Sequence, residues 1–190
     1  MRHPAKLALY CAIIAATPLT VACSQSDPSP ESAASTRDAG TQSLGAALGE
    51  LNETSILRDA MTETELAGIL DSPASYTILA PTDAAFNALG DDAEGLTDDE
   101  QKPLLLALVR NHLLPGHLTP ETIGSAIDAQ EGAVTMTTLG DGEVTFARDG
   151  EGLTVAFGDG PQARIVGEPV ATNNGVIIPL DTVLVPRNAG

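Results

Sequence analysis

Cysteine is nearly missing from this chain, with two in 190 residues. Cys11 lies inside an apolar amino-terminal run, so removal of that run leaves Cys23 alone. A lone cysteine forms no internal disulfide, and the exported part must stand on its hydrophobic core. Basic residues are scarce too, nine against 26 acids, for a formal charge of −17. Such a surface repels phosphate backbones and anionic headgroups, which excludes nucleic acid as a partner. Histidine is equally thin: beyond His3 there are only His112 and His117, and no Gly-x-Ser-x-Gly elbow occurs. The apolar, uncharged run "LALYCAIIAATPLTVA" at 7–22 is too short and too closely followed by polar sequence to be a good membrane span.

What is present begins with that stretch. Arg2 and Lys6 precede it, as in the positive and apolar regions of an export signal. It ends in "LTVAC", which resembles the lipobox of bacterial lipoproteins, with Thr20 where leucine is commoner. The resemblance implies cleavage after Ala22 and acylation of Cys23 with chains such as palmitate. Two or more acyl chains anchor stably where one is marginal. The expected location is therefore the periplasmic side of a membrane or the cell surface. Ser24, rather than Asp, after the cysteine favours the outer membrane where a cell has one. Residues 23–40, rich in Ser, Pro, Ala and acid, lack large apolar side chains and read as a flexible tether reaching roughly 55 Å.

A helical part follows within the domain expected over 41–187. Leu44, Ala47, Leu48 and Leu51 recur at helical spacing. Thr54 is positioned to cap a helix carrying Leu57, Ala60 and Met61. "TETE" at 62–65 predicts a capping box, Thr62 with Glu65, opening another helix with Leu66, Ile69 and Leu70. The six acids of "GDDAEGLTDDEQK" lack the spacing and closing glutamate of a calcium loop; Thr97 and Glu100 predict a capping box instead. Pro103 opens an apolar helix predicted to run to Pro115–Gly116. Thr119 caps a further helix with Ile123 and Ile127 inward.

From Ala133 the period changes to two. "AVTMTTL", "EVTFARD", "LTVAF" and "ARIVG" are separated by "GDG", "GEG" and "GDG", which predicts hairpins with glycine at the positive-φ positions. "GVIIPLDTVLVP" closes the domain as one or two buried strands. Helices first and strands after predict an α+β fold.

Three ordered stretches then resemble the fasciclin domain family. "YTILAPTDAAFNAL" is similar to its first signature, with Pro81, Thr82, Asp83 and Phe86 at the motif positions. "LLLALVRNHLLPGHLTPETI" resembles its middle helix, with His112 kept and Asn111 where tyrosine is usual. "ATNNGVIIPLDTVLVP" resembles its second signature, with Asn174, Gly175 and Asp181; Ile178 and Pro179 stand where histidine and an apolar residue are usual. The resemblance implies a β-sandwich or wedge flanked by amino-terminal helices, an adhesive or interaction role, and no catalytic residues, cofactor or metal. The Asp-Ile pair tied to integrin contact in some animal members falls on Pro169 and Val170, so that partner is not implied here.

Residue chemistry on its own agrees. Thr82 reads as a helix cap and Asp83 as a carboxylate at the positive end of the helix dipole, not as nucleophile and base. His112 reads as a core hydrogen-bonding residue, because Pro115 and Gly116 separate it from His117 and no cysteine completes a zinc site. Asn174–Gly175 reads as a turn with glycine at positive φ. The leading expectation is a membrane-anchored adhesion or protein-interaction lipoprotein, its envelope or extracellular partner, protein or polysaccharide, unknown. The alternative is a carrier with a groove for a lipophilic or small ligand, suggested by the apolar excess of "PLLLALVRNHLL". A hydrolase using His112 is a third reading.

Overall fold

The computed structural model of this protein describes residues 35–90 and 99–186. Its helical layer begins with α1 (Leu44–Glu50), where the Ser43 hydroxyl accepts the Ala46 amide and Leu44, Ala47 and Leu48 turn inward. α2 (Ser55–Glu63) buries Leu57, Ala60 and Met61. The capping box predicted at Thr62–Glu65 does not form. Thr62 lies in the last turn of α2, its hydroxyl donating back to the Arg58 carbonyl, and the buried Thr64 hydroxyl does the same to Ala60. Glu65 then takes a left-handed conformation, φ 60°, that ends the helix, and Leu66–Asp71 form a 3-10 helix. Thr54 precedes α2 but makes no cap; its hydroxyl donates to the Leu51 carbonyl.

Strand β1 (Arg37–Asp38) lies ahead of α1, so the tether expected over 23–40 gives way to ordered chain before its predicted end. β2 (Tyr76–Pro81) leads into α3 (Asp83–Asn87). After a 3-10 turn at Asp99–Gln101 comes α4 (Lys102–Asn111), with Pro103 in its first turn. The predicted cap at Thr97 lies outside the described residues. α4 stops sooner than predicted, because Leu113–Pro115 form strand β3. A strand turns alternate side chains to opposite faces, which places Leu113 in one core and Leu114 in the other, both fully buried. α5 (Pro120–Gln130) begins with a reciprocal cap between Thr119 and Thr122.

The meander is as predicted: β4 (Val134–Thr137), β5 (Glu143–Asp149), β6 (Gly152–Phe157) and β7 (Gln162–Arg164) pair antiparallel in sequence order. One turn differs in detail. At Gly140–Asp141–Gly142 the positive φ belongs to Asp141. The two glycines answer to space instead: a Cβ on Gly140 would overlap the Asn111 amide oxygen, and one on Gly142 the Phe157 ring. β8 (Val170–Thr172) and β9 (Gly175–Leu180) complete the strands among the described residues.

The five-stranded sheet has the order β1-β8-β9-β2-β3, and the four-stranded sheet β4-β5-β6-β7. β2 and β9 run parallel at the centre of the first, from Tyr76 opposite Gly175 to Pro81 opposite Leu180. Parallel strands covered on both faces read as unbroken apolar runs, which is why "YTILAP" and "GVIIPL" show no alternation. One face, with Ile78, Ala80 and Ile177, packs on the helical layer; the other, with Leu79, Val176, Ile178 and Leu180, packs on the meander and α5. The architecture is the expected α+β sandwich flanked by helices. Each buried aliphatic side chain contributes about 1.5–3 kcal/mol, so the doubly covered strands carry much of the stability.

Candidate functional site

The Pro81–Thr82–Asp83 turn joins the end of β2 to α3. Pro81 is buried at the end of the parallel ladder, and the Thr82 amide donates to the Leu180 carbonyl at 2.9 Å. The Thr82 hydroxyl accepts the Ala85 amide, the cap the sequence predicts. Asp83 does something periodicity cannot show. Its carboxylate points away from its own helix and caps α2, accepting the Ile56 amide at 2.9 Å and the Ser55 hydroxyl at 2.7 Å. Burial alone would raise this carboxyl; the hydrogen bonds from Ile56 and Ser55, with Arg58 nearby, hold it below its ordinary value. That explains how α2 starts without a cap from Thr54. Phe86, 7% exposed, anchors α3 in the helix-side core.

His112 follows the last turn of α4 and is 1% exposed. Its Nδ1 lies 2.8 Å from the Leu108 carbonyl, and its Nε2 accepts the Leu184 amide at 2.9 Å. A carbonyl can only accept, so Nδ1 carries the proton and the ring is neutral. Burial pushes its pKa down to about 4, partly opposed by the Leu108 bond. The ring therefore pins the chain after β9 against α4, as the core role predicts. With both nitrogens engaged, no basic atom faces solvent, and the hydrolase reading loses its base. His117 lies apart, its Nε2 3.3 Å from the Thr172 carbonyl. Among the described residues no group of three or more His, Cys, Asp or Glu is placed to hold a metal.

Asn174, 9% exposed and just ahead of β9, ties two other element ends to its own. Its Oδ1 accepts the Leu44 amide at 2.7 Å, at the start of α1. Its Nδ2 donates to the carbonyls of Leu70 and Ser72, at 2.7 and 3.0 Å, where the 3-10 helix ends. The glycine beside it corrects the turn reading. Gly175 does not take a positive φ; it is the first residue of β9, and a Cβ there would overlap the Tyr76 carbonyl oxygen and crowd Leu44. Asp181 closes the other end of β9, its Oδ1 accepting the Arg164 amide at 2.8 Å and the Thr182 hydroxyl at 3.0 Å. Cys23 lies outside the described residues.

The motif residues do not converge on one pocket. Thr82 and Asp83, His112, Asn174 and Asp181 each tie a different chain end, and each polar side chain named is engaged inside the domain. The clearest concavity is elsewhere, a groove of about 270 Å³ between α5 and the meander, lined by Pro120, Glu121, Gly124, Arg148, Leu153 and Ile165 among others. The apolar excess of α4 does not build it: that helix buries Leu105, Leu108 and Val109 and leaves Leu104 57% exposed. The groove's polar groups were not singled out from sequence. Arg148 reaches α5 and pairs in bidentate fashion with Asp128, at 2.7 and 3.2 Å. Glu121 holds the Thr36 amide and hydroxyl. Only the spacing of Glu121 and Asp128, near two turns apart on α5, hinted at a shared face.

Two stacked sheets beside a helical layer, with the motif side chains bonded internally, make the motif residues structural ties of the domain. The chain belongs to the fasciclin domain family, whose model matches residues 52–186. It is 31% identical over 141 residues to Protein sll1483 of Synechocystis sp., covering 71% of this chain and 69% of that protein. Among solved structures it resembles the FAS1 domain pair of the insect cell adhesion molecule fasciclin I, with a TM-score of 0.57 and 23% identity. That match covers 70% of this chain and 45% of the insect chain, so this chain spans less than half of the pair. At that identity the likeness is one of fold. Fasciclin domains are generally non-enzymatic modules of adhesion or protein interaction.

Proposed function

We propose that this protein is a lipid-anchored fasciclin-domain lipoprotein that presents an adhesive or protein-binding surface in the cell envelope. The observation that carries the module half of this reading is that Asp83, His112 and Asn174 bond only within the domain. They build a rigid display body and leave recognition to exposed surfaces. The anchoring half rests on "LTVAC", on the acidic Ser- and Pro-rich segment after Cys23, and on the charge. A chain this acidic is repelled by anionic headgroups, so membrane retention should depend on acylated Cys23. Metabolic labelling with a clickable fatty acid tests it: wild type takes up label and partitions with membranes, and Cys23→Ser does neither. Undiminished labelling of Cys23→Ser would overturn the anchor. Affinity capture from envelope extract with the membrane-bound chain tests the module, with recovery of one saturable partner as the expected result.

The groove beside α5 supports a second reading, a carrier of a small ligand. Its volume of about 270 Å³ falls at the lower edge of small-molecule sites, roughly 300–1,000 Å³. That suits a compact ligand better than a lipid tail. Native mass spectrometry of the purified protein separates the two readings, since a carrier retains a stoichiometric ligand and a display module does not.

A further inference from the structure

Between the amino-terminal segment and α1 lies an ordered stretch without a core of its own. No side chain from 35 to 43 is buried; Leu44 is the first. Thr36–Ala39 are nevertheless held along the outer edge of β8. The Arg37 amide donates to the Pro169 carbonyl at 2.8 Å, and the Ala39 amide to Ala171 at 2.7 Å. Two further bonds come from Thr36, whose amide and hydroxyl reach the two oxygens of the Glu121 carboxylate at 2.9 and 2.8 Å. Arg37 adds an exposed ion pair with Glu168 at 3.2 Å. The next residues are tied separately: the Asn173 amide donates to the Gln42 carbonyl, and its side-chain Nδ2 donates to the Thr41 carbonyl. Between these attachments sits Gly40, φ 63°, with open space around it.

We propose that Thr36–Ala39 form a releasable strap, hinged at Gly40 and latched by Glu121, that covers the edge of β8 when closed. The physical basis is the mismatch in what holds neighbouring segments. A segment held by solvent-facing polar contacts opens at lower free energy than one held by buried apolar surface, and exposed ion pairs add little. Thr36–Asp38 have only the former and Ala39 rests part-buried on the rim of the helix-side core, while α1 has Leu44, Ala47 and Leu48 fully buried in it. Opening therefore stops at Gly40–Gln42 and does not propagate into the helical layer. Two consequences follow. The carbonyls of Pro169 and Ala171 become an uncovered strand edge, the kind of surface that accepts an extended chain. And where the chain is anchored at Cys23, a clause that rests on the reading above, the tether lengthens by five residues, about 16 Å. The strap is thus a load-sensitive element between anchor and domain.

Native-state hydrogen exchange on the full chain in detergent micelles tests this. The Arg37 and Ala39 amides should exchange at least a hundredfold faster than the Leu79 amide, which donates to the His112 carbonyl at the core, and low urea should leave their rates unchanged. Glu121→Gln should speed them a further fivefold or more, and Thr36→Val should do so more weakly, with Leu79 unmoved in both. Exchange of Arg37 and Ala39 at the rate and urea dependence of Leu79 would overturn the strap. Unchanged strap rates in Glu121→Gln would overturn the latch. Fatty-acid labelling of the same preparations is scored separately, so an unlabelled chain with a fast strap counts against the anchor alone.

Discussion

The two faces of the central sheet are held by different means. On the helical side, chain ends far apart in sequence meet and are joined by single polar side chains: Asp83 to Ile56, Asn174 to Leu44 and Leu70, His112 to Leu184. On the meander side, β4 to β7 pair with their sequence neighbours, and inward Val144, Phe146 and Val155 supply the packing. Its ion pairs, such as Arg164 with Asp149, are exposed. The family's motif residues fall where helices and parallel strands must start or stop against distant chain, because those ends leave backbone groups without local partners. Consecutive hairpins satisfy their own backbone and need no such device. Asp181 is the exception that fits, since it joins β9 to β7 across the two sheets.

The comparison breaks first at Asn174. Asn174→Ala strips one acceptor and two donors from buried chain ends, each loss costing about 1–3 kcal/mol. A total of about 3–4 kcal/mol should appear as a lower urea midpoint. A loss under 1 kcal/mol would mean the ends find other partners and the helical side is not held as described.

His112 gives the next largest effect, and a pH signature with it. Its folded pKa of about 4 lies below the unfolded value near 6.5. The unfolded chain therefore binds more protons between these values, so stability is full above pH 6.5 and falls as pH drops toward 4. The window is worth at most roughly 3 kcal/mol. His112→Leu should cost about 2–3 kcal/mol at pH 7, through the unpaired Leu184 amide, and should flatten this slope. Persistence of the full slope in the variant would place its origin elsewhere.

Asp83→Ala should cost about 1–2 kcal/mol at pH 7, the range for loss of a helix cap. Because its carboxyl is held below the ordinary value, the wild-type advantage is present above about pH 4 and lost as pH falls through the folded pKa. Denaturation curves at pH 7 and pH 3 check both parts. At the small end, Arg164→Ala on the meander should change stability by less than about 0.5 kcal/mol. A larger loss would show that the meander, too, depends on single polar links.

Much of this was legible before any tertiary contact was known. The helical repeat of Leu44, Ala47 and Leu48, the Thr119 cap and the alternating meander are local patterns with local causes. The errors were also local. "TETE" has the residues of a capping box, but the buried Thr64 hydroxyl donates to the Ala60 carbonyl and α2 takes up Thr62 and Glu63 as its own last residues. Leu113 and Leu114 look helical in sequence, whereas they lie in a strand and serve two cores on opposite faces. Gly175 read as a turn glycine because Asn-Gly usually marks one; its actual constraint is the Tyr76 carbonyl nearly a hundred residues away.

The sequence by itself determined the acidity, the fold class and the family, since each depends on composition or on spacing within a few turns. The tertiary structure alone decided what the motif does. Asp83 caps a helix that precedes it, Asn174 ties two other element ends to its own, and His112 holds the closing segment, because a hydrogen bond is made by atoms about 3 Å apart and nothing in a linear chain says which distant atoms those will be.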